Sequence, residues 1–294
     1  MAGHSTLVVL KGIDDSRKQI FEQNTAKFLD AINTAYRKNT QPIFPESVIG
    51  GKIDEIMKNN WAISPFISVR TDVIENVLKN ESGNYEIRNI QIVLEEADAD
   101  YKQQDAVIIF DQQGKIIDFK IALGYHSISA ILRDTVSVTD LRRRQLIVSF
   151  VEDFRTAYNL KDNTYLDKVF SDRALIITGK TIEKSVEGEL KSTTTYTTQT
   201  KEQYLNKLKA VFANSKMLNI NFDSINVVRH PNHENIYGVN LYQTWNSESV
   251  QGGKYRDVGY VFLIIDFTDE NKPMIWVRAW SIDNFFSMNS FTID

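Results

Sequence analysis

The 294-residue chain contains no cysteine, which excludes disulfides, cysteine-ligated zinc and thiol catalysis. It also lacks a basic surplus. Its 34 lysines and arginines face 38 acids, for a formal net charge of -4 and a pI near 5.7. Phosphate-tracking proteins carry excess positive charge, so nucleic acid is not an expected partner. No apolar run approaches the roughly 18–20 residues of a spanning helix, so no transmembrane segment is expected in this sequence. The opening Met1-Ala2-Gly3-His4-Ser5-Thr6 lacks a charged region followed by an apolar one and does not read as a signal peptide. A chain whose leader had been removed would begin the same way. Walker, GxGxxG, GxSxG and HExxH patterns are all missing, which leaves nucleotide, hydrolase and zincin chemistry without support, and no cofactor or metal is expected.

What is present suffices for packed cores. Hydrophobic residues make up 42% and charged residues 24%, and this length suggests two domains. Two stretches share an ordered set of features. Arg17-Lys18-Gln19-Ile20, Phe28-Leu29-Asp30 and Thr34-Ala35-Tyr36 reappear as Arg143-Arg144-Gln145-Leu146, Phe150-Val151-Glu152 and Thr156-Ala157-Tyr158. The Phe-to-Thr spacing is the same in both, and both stretches place apolar residues on one helical face. Each half also closes on a strand–turn–strand pattern, 101–123 around Asp111-Gln112-Gln113-Gly114 and 255–282 around Thr268-Asp269-Glu270-Asn271. Helix start and closing hairpin in the same order point to duplication.

In the second half the pattern predicts a helix over 140–159, a helical turn over 165–170 and a buried strand over 174–178. A partly exposed hairpin follows over 179–198, then a helix capped by Thr200 with Gln203. Three strands, 236–245, 255–267 and 274–282, complete it. In the first half a helix over 15–37 precedes a loop punctuated by Pro42 and Pro45, short helices over 53–60 and 72–79, and strands over 85–95, 104–111 and 115–123. The connector 126–139 has apolar Ile128, Ile131, Leu132, Val136 and Val138 and no flexible Gly/Ser stretch, so the halves are expected to pack together. Helices first and an antiparallel sheet last make each half α+β.

The run Phe150-Val151-Glu152-Asp153-Phe154-Arg155-Thr156-Ala157-Tyr158, the run from Tyr165-Leu166-Asp167 to Ala174-Leu175-Ile176, and the closing Ile275-Trp276-Val277-Arg278-Ala279-Trp280-Ser281 resemble a nuclear transport factor two-like domain. This is also called the cystatin-like or ketosteroid-isomerase-like cone. The resemblance covers about 140–287, and the first half resembles the same cone only through its two ends. It implies tandem cone-like domains, each with N-terminal helices packed on a curved antiparallel sheet, at 14–125 and 140–287 with 126–139 between them, the first copy degenerate or divergent. The stretch from Leu141 to Lys180 also resembles envelope proteins of Bacteroidetes bacteria, which implies a secreted, periplasmic or lipid-anchored protein. The cone supports isomerases, dehydratases, cyclases and noncatalytic binders alike, so fold does not name the activity.

Strand alternation sorts the candidate site. Trp276, Arg278 and Trp280 are expected on one face, Tyr260, Phe262, Ile264 and Asp266 on one side of the neighbouring strand, and Asn240, Tyr242 and Thr244 likewise. An arginine between two tryptophans suits a planar or anionic ligand; the reading favoured over it is a structural stack within a partly exposed sheet face or a homodimer interface. Lys120 occupies the place of Arg278 in the first hairpin. The favoured function is noncatalytic binding of a small molecule or an envelope protein, using Trp276, Arg278, Trp280, Tyr260, Tyr242 and Tyr158. The alternative is a small-molecule isomerase, dehydratase or cyclase in which Asp266 or Asp153 is a buried base and Tyr260 or Tyr158 a donor. His230-Pro231-Asn232-His233 reads as a surface turn, Glu95 to Asp100 as a solvated tip, and Arg142-Arg143-Arg144 as an interdomain contact or solvated face.

Overall fold

The computed structural model describes residues 6–79, 83–95, 102–123, 131, 140–186 and 189–285. The expectations for the connector, Ile131 apart, and for 96–100 lie outside these residues. The chain divides into two compact units, 1–122 and 123–294. Both are α+β, with helices packed on a largely antiparallel sheet. Among the described residues, no helix is long and apolar enough to cross a membrane.

In unit 1 the long helix α1 (Asp15–Lys38) begins where the Asp14 carboxylate accepts from Arg17 N and ends at Asn39, whose φ of 52° turns the chain out of the helix. It buries Phe21, Phe28, Leu29 and Ile32 against the sheet. Helix α2 (Ile53–Ile63) follows, and the sheet runs in the order β2 (Phe66–Ser68), β5 (Tyr85–Leu94), β6 (Gln103–Phe110), β7 (Ile116–Ile121), with β4 (Leu78–Lys79) also paired to β5. The β6–β7 turn is held by the Asp111 carboxylate, which accepts from Gln113 N and Lys115 N. Gly114 closes it at φ 85°, and a Cβ there would lie 2.7 Å from the Phe21 ring, so glycine is required twice over. Segment 72–79 is not the expected helix. Asp72–Asn76 forms strand β3, pairing in parallel with β1 (Leu7–Lys11), and Val73 and Val77 are buried.

Unit 2 opens with α3 (Leu141–Asn159) and the short α4 (Asn163–Val169). Strands β8 (Phe170–Val186) and β9 (Glu189–Gln199) form a long hairpin, and α5 (Lys201–Asn214) carries the expected capping box at Thr200 and Gln203. Four strands follow rather than three: β10 (Ser215–Arg229), β11 (Ile236–Ser249), β12 (Lys254–Asp266) and β13 (Met274–Ser281). The sheet order is β10-β11-β12-β13-β8-β9, and β13–β8 is its one parallel pair. Bulges in β10 and β13 bend the strands around the helices. The core lies between this concave face and the inner faces of α3 (Ile147, Phe150, Val151, Phe154, Tyr158) and α5 (Tyr204, Leu205, Leu208, Phe212).

The arginine run belongs to unit 2 itself. Arg142 and Arg143 pair with Glu270 in the β12–β13 turn at 2.6 and 3.0 Å, and Arg143 also donates to Phe267 O and Asn235 Oδ1. Its guanidinium stacks over Tyr237 and Phe267. These contacts fasten the start of α3 to the far end of the sheet. His230 is buried, and its Nδ1 accepts from Asn232 N, so the imidazole shapes the turn.

Candidate functional site

The concave face of unit 2 is read from β11 and β12. Val239 and Leu241 on β11, and Val261, Leu263 and Ile265 on β12, point into the core. The same parity puts Gln243 and Trp245, opposite Gly259 and Asp257 respectively, on that face. Trp245 and Asp257 are half-buried, whereas Gln243 and Gly259 are buried, so this row leads from solvent inward.

On β13 a bulge changes the expected arrangement. Ile264 pairs with Val277 and Ile265 with Ile275, leaving Trp276 as the extra residue. The strand therefore reverses phase at that point. Ile275, Arg278 and Trp280 face inward, with Arg278 4% and Trp280 3% exposed, while Trp276 is turned out at 39%. Trp276 thus does not flank Arg278. Trp280 is accommodated by glycines on both neighbouring strands: a Cβ at Gly259 would lie 2.6 Å from its indole, and one at Gly179 2.1 Å. No larger residue fits beneath that ring without displacing it.

Arg278 reaches from β13 into a cluster built by three other elements. Its guanidinium sits 5.4 Å over the Tyr204 ring of α5, and Nη2 donates to Gln243 Oε1 at a long 3.4 Å. The Tyr158 hydroxyl of α3 and the Tyr204 hydroxyl share a hydrogen bond of 2.6 Å. Tyr158 stands at the end of an aromatic ladder along α3, edge-on to Phe154 at 5.0 Å and to Trp245 at 6.1 Å. Burial, with the neighbouring Tyr204, pushes the Tyr158 phenol well above its ordinary pKa, so it is a neutral hydroxyl at physiological pH. Burial also raises the Asp257 carboxyl, against the opposing pull of its hydrogen bond from Val258 N and of Arg278.

Burial works against the charge on Arg278, but Tyr204, Tyr158 and Asp257 together hold its pKa above the ordinary arginine value. Asp257 is the carboxylate among these groups whose field reaches the guanidinium. Within this buried cluster, Arg278 Nε and Nη1 and Trp280 Nε1 have no hydrogen-bond partner among the described residues. Buried donors are ordinarily paired, and an unmet one costs about 1–3 kcal/mol.

The other expected residues lie elsewhere. Tyr242 and Tyr260 are cross-strand partners on the opposite face of the sheet, edge-to-face at 5.2 Å. Asp266 shares that face and accepts from Thr268 N at 2.8 Å, shaping the hairpin turn. Asp153 is half-buried on α3, where its field acts on Tyr165. Asp266, Asp153 and Tyr260 therefore do not assemble as an acid–base set around Arg278. Tyr204, Gln243 and Asp257 were not foreseen. The inward parity of Val239 and Leu241 carries the signal for Gln243, but nothing local marks Tyr204 as Arg278's neighbour.

A second buried charge lies on α3. Arg155 is 1% exposed and donates to Asn221 Oδ1 at 3.0 Å. Burial lowers its pKa to about 10, while Glu152 and Asp223 oppose that fall. Glu152 Oε1 accepts from Leu123 N. These contacts tie α3 to β10 and to the chain entering the unit, which is a structural role.

No protein-family model matches the chain, and no curated protein matches it. Among solved structures, it is similar to a nuclear transport factor 2-like superfamily protein from Salmonella enterica (10% identity, 47% of this chain and 89% of that one, TM-score 0.36). It is also similar to a protein with a cystatin-like fold from Caulobacter vibrioides (11% identity, 49% and 92%, TM-score 0.34) and to a conserved protein from Planctomyces limnophilus (13%, 46% and 91%, TM-score 0.35). At these identities and TM-scores the likenesses carry no argument about the site, which rests on the geometry of this chain.

Proposed function

We propose that unit 2 is a noncatalytic binding domain that holds a small molecule against the concave face of its sheet, anchored by Arg278. The observation that carries this reading is a buried guanidinium whose Nε and Nη1 lack partners, set among Tyr158, Tyr204, Gln243 and Trp280. Structural arginines ordinarily pair with carboxylates or carbonyls, as Arg143 does in the same unit, and among the described residues Arg278 is the arginine with two buried nitrogens unmet rather than one. Ligand-detected NMR with a diverse fragment library on the full chain tests it. Ligands should bind the native protein and be lost from a folded Arg278→Met variant. Equal binding to both would remove Arg278 from the site.

The second reading is a small-molecule isomerase, dehydratase or cyclase. It is favoured by one observation: Tyr158, hydrogen-bonded to Tyr204, and the Asp257 carboxyl are both raised in pKa by burial, and Arg278 acts on both. In it Asp257 serves as base and Tyr158 as donor. Turnover that survives both Asp257→Asn and Tyr158→Phe would exclude these two roles, and absence of turnover on every substrate of these classes would exclude the reading itself.

A further inference from the structure

We infer that the molecule held at Arg278 is a monocarboxylate with a flat, unsaturated or aromatic body. This rests on the reading of unit 2 as a ligand-binding domain and adds the chemical class.

The first warrant is the sign of what is missing. The unmet buried atoms carried by β13 are donors, Arg278 Nε and Nη1 and Trp280 Nε1, whereas the unmet acceptors of the sheet, Gln199 Oε1 on β9 and Asn240 Oδ1 on β11, each lie two strands away. Of the two tyrosine hydroxyls, one must donate to the other, which leaves the second proton free for a further acceptor. Buried donors without partners select a ligand rich in acceptors. Burial holds the Tyr158 phenol well above its ordinary pKa, so it offers Arg278 no negative charge at neutral pH, and a ligand anion supplies a charge partner beside half-buried Asp257.

The second warrant is the count of charges. Arg278 is the cation whose field acts on both Tyr158 and Asp257. A phosphate dianion would bring two negative charges to one guanidinium, with the Asp257 carboxylate repelling the second. A carboxylate brings one, and it can take two N–H bonds in the plane of the guanidinium. The third is the lining. Arg278 and Trp280 are two residues apart on one face, roughly 6–7 Å along the strand, so one molecule can meet both side chains. Tyr158, Tyr204 and Trp245 supply the remaining aromatic surface, and Trp245 and its cross-strand partner Asp257 are the half-buried pair of this face.

The test is calorimetric titration of the full chain with 4-hydroxycinnamate, its amide 4-hydroxycinnamamide, cyclohexanecarboxylate and phenyl phosphate. The acid should bind at least tenfold more tightly than its amide, and more tightly than either the saturated acid or the phosphate. Arg278→Gln should abolish the preference for acid over amide, and Arg278→Lys, which keeps the charge, should retain part of it. Equal affinity for acid and amide, or tighter binding of phenyl phosphate, overturns the inference and leaves the ligand-binding reading standing. If no probe binds but the fragment library yields an Arg278-dependent ligand of another class, the inference alone fails. If neither probes nor library bind, both fail.

Discussion

Asp257 shows how one half-buried residue couples the site to pH. Burial raises its folded-state pKa above the unfolded value of about 3.9. The folded chain therefore holds this proton more tightly than the unfolded chain. Its contribution to stability is fully present below the unfolded pKa and is lost as pH rises through the folded pKa. At neutral pH the ionised carboxylate is a net cost, partly offset by Arg278. Asp257→Asn, which resembles the protonated form, is expected to raise the melting temperature at pH 7 and to give no gain near pH 4. A gain that is larger at pH 4 than at pH 7 would contradict the direction of the shift. The variant should also strengthen binding of an anion at Arg278, because a competing negative charge is gone. At this scale the sequence places Arg278 and Trp280 on one face of the last strand and marks Tyr158 as a candidate binding residue, but it does not tell that the face points inward. The outward turn of Trp276 was not legible, because it depends on a bulge set by pairing with Ile264 and Ile265. No alternation within one strand reveals a mismatch in register with another.

Among the elements, α5 positions Tyr204 over Arg278 and is held at its start by the reciprocal bonds of Thr200 and Gln203. Its boundary was readable because a capping box is a local signal. Thr200→Ala is expected to cost about 1 kcal/mol of stability, read as a lower denaturant midpoint, and to weaken ligand binding less than Arg278→Met does. An unchanged midpoint would mean that the cap contributes nothing. Strand β10 was missed for the opposite reason. Its inward Leu218, Ile220 and Phe222 lose phase at an irregularity between Asp223 and Asn226, where Ser224 takes φ 50°. Strand β3 was mistaken for a helix because Val73 and Val77 stand four residues apart, a spacing that both helices and strands can bury. The deciding partner, β1, lies more than sixty residues away, and tertiary pairing overrides local propensity there.

Over the whole molecule, the duplicated pattern corresponds to two units that each run from helix to closing hairpin. The repeated Thr-Ala-Tyr ends the first helix of both, and a basic residue is buried on both last strands, Lys120 at 4% and Arg278 at 4% exposed. The rest diverges. Unit 1 fills its interior with Phe28, Phe44, Phe66 and Phe119, stacked or tilted at 4.6 to 5.9 Å. Among the described residues it has no counterpart of the β8–β9 hairpin or of Trp280. Unit 2 instead places hydroxyls, an amide and a guanidinium beside its aromatic rings, which makes it the binding unit in this account. The same contrast gives a direct measure of what Arg278 is for.

A binding arginine with unmet donors is a burden to the ligand-free fold, because replacing a buried charge by an apolar side chain of similar size is often neutral or stabilising. A structural arginine would be missed by about 3–5 kcal/mol, and each kcal/mol moves the midpoint of a unit this size by roughly 2–4 °C. The decisive measurement is calorimetric unfolding of the full chain and of Arg278→Met in ligand-free buffer at pH 7. The account expects the variant's unit 2 transition to lie at or above that of the native chain. A fall of 6 °C or more, at the lower end of that structural estimate, would show that Arg278 holds the fold together and would contradict the account.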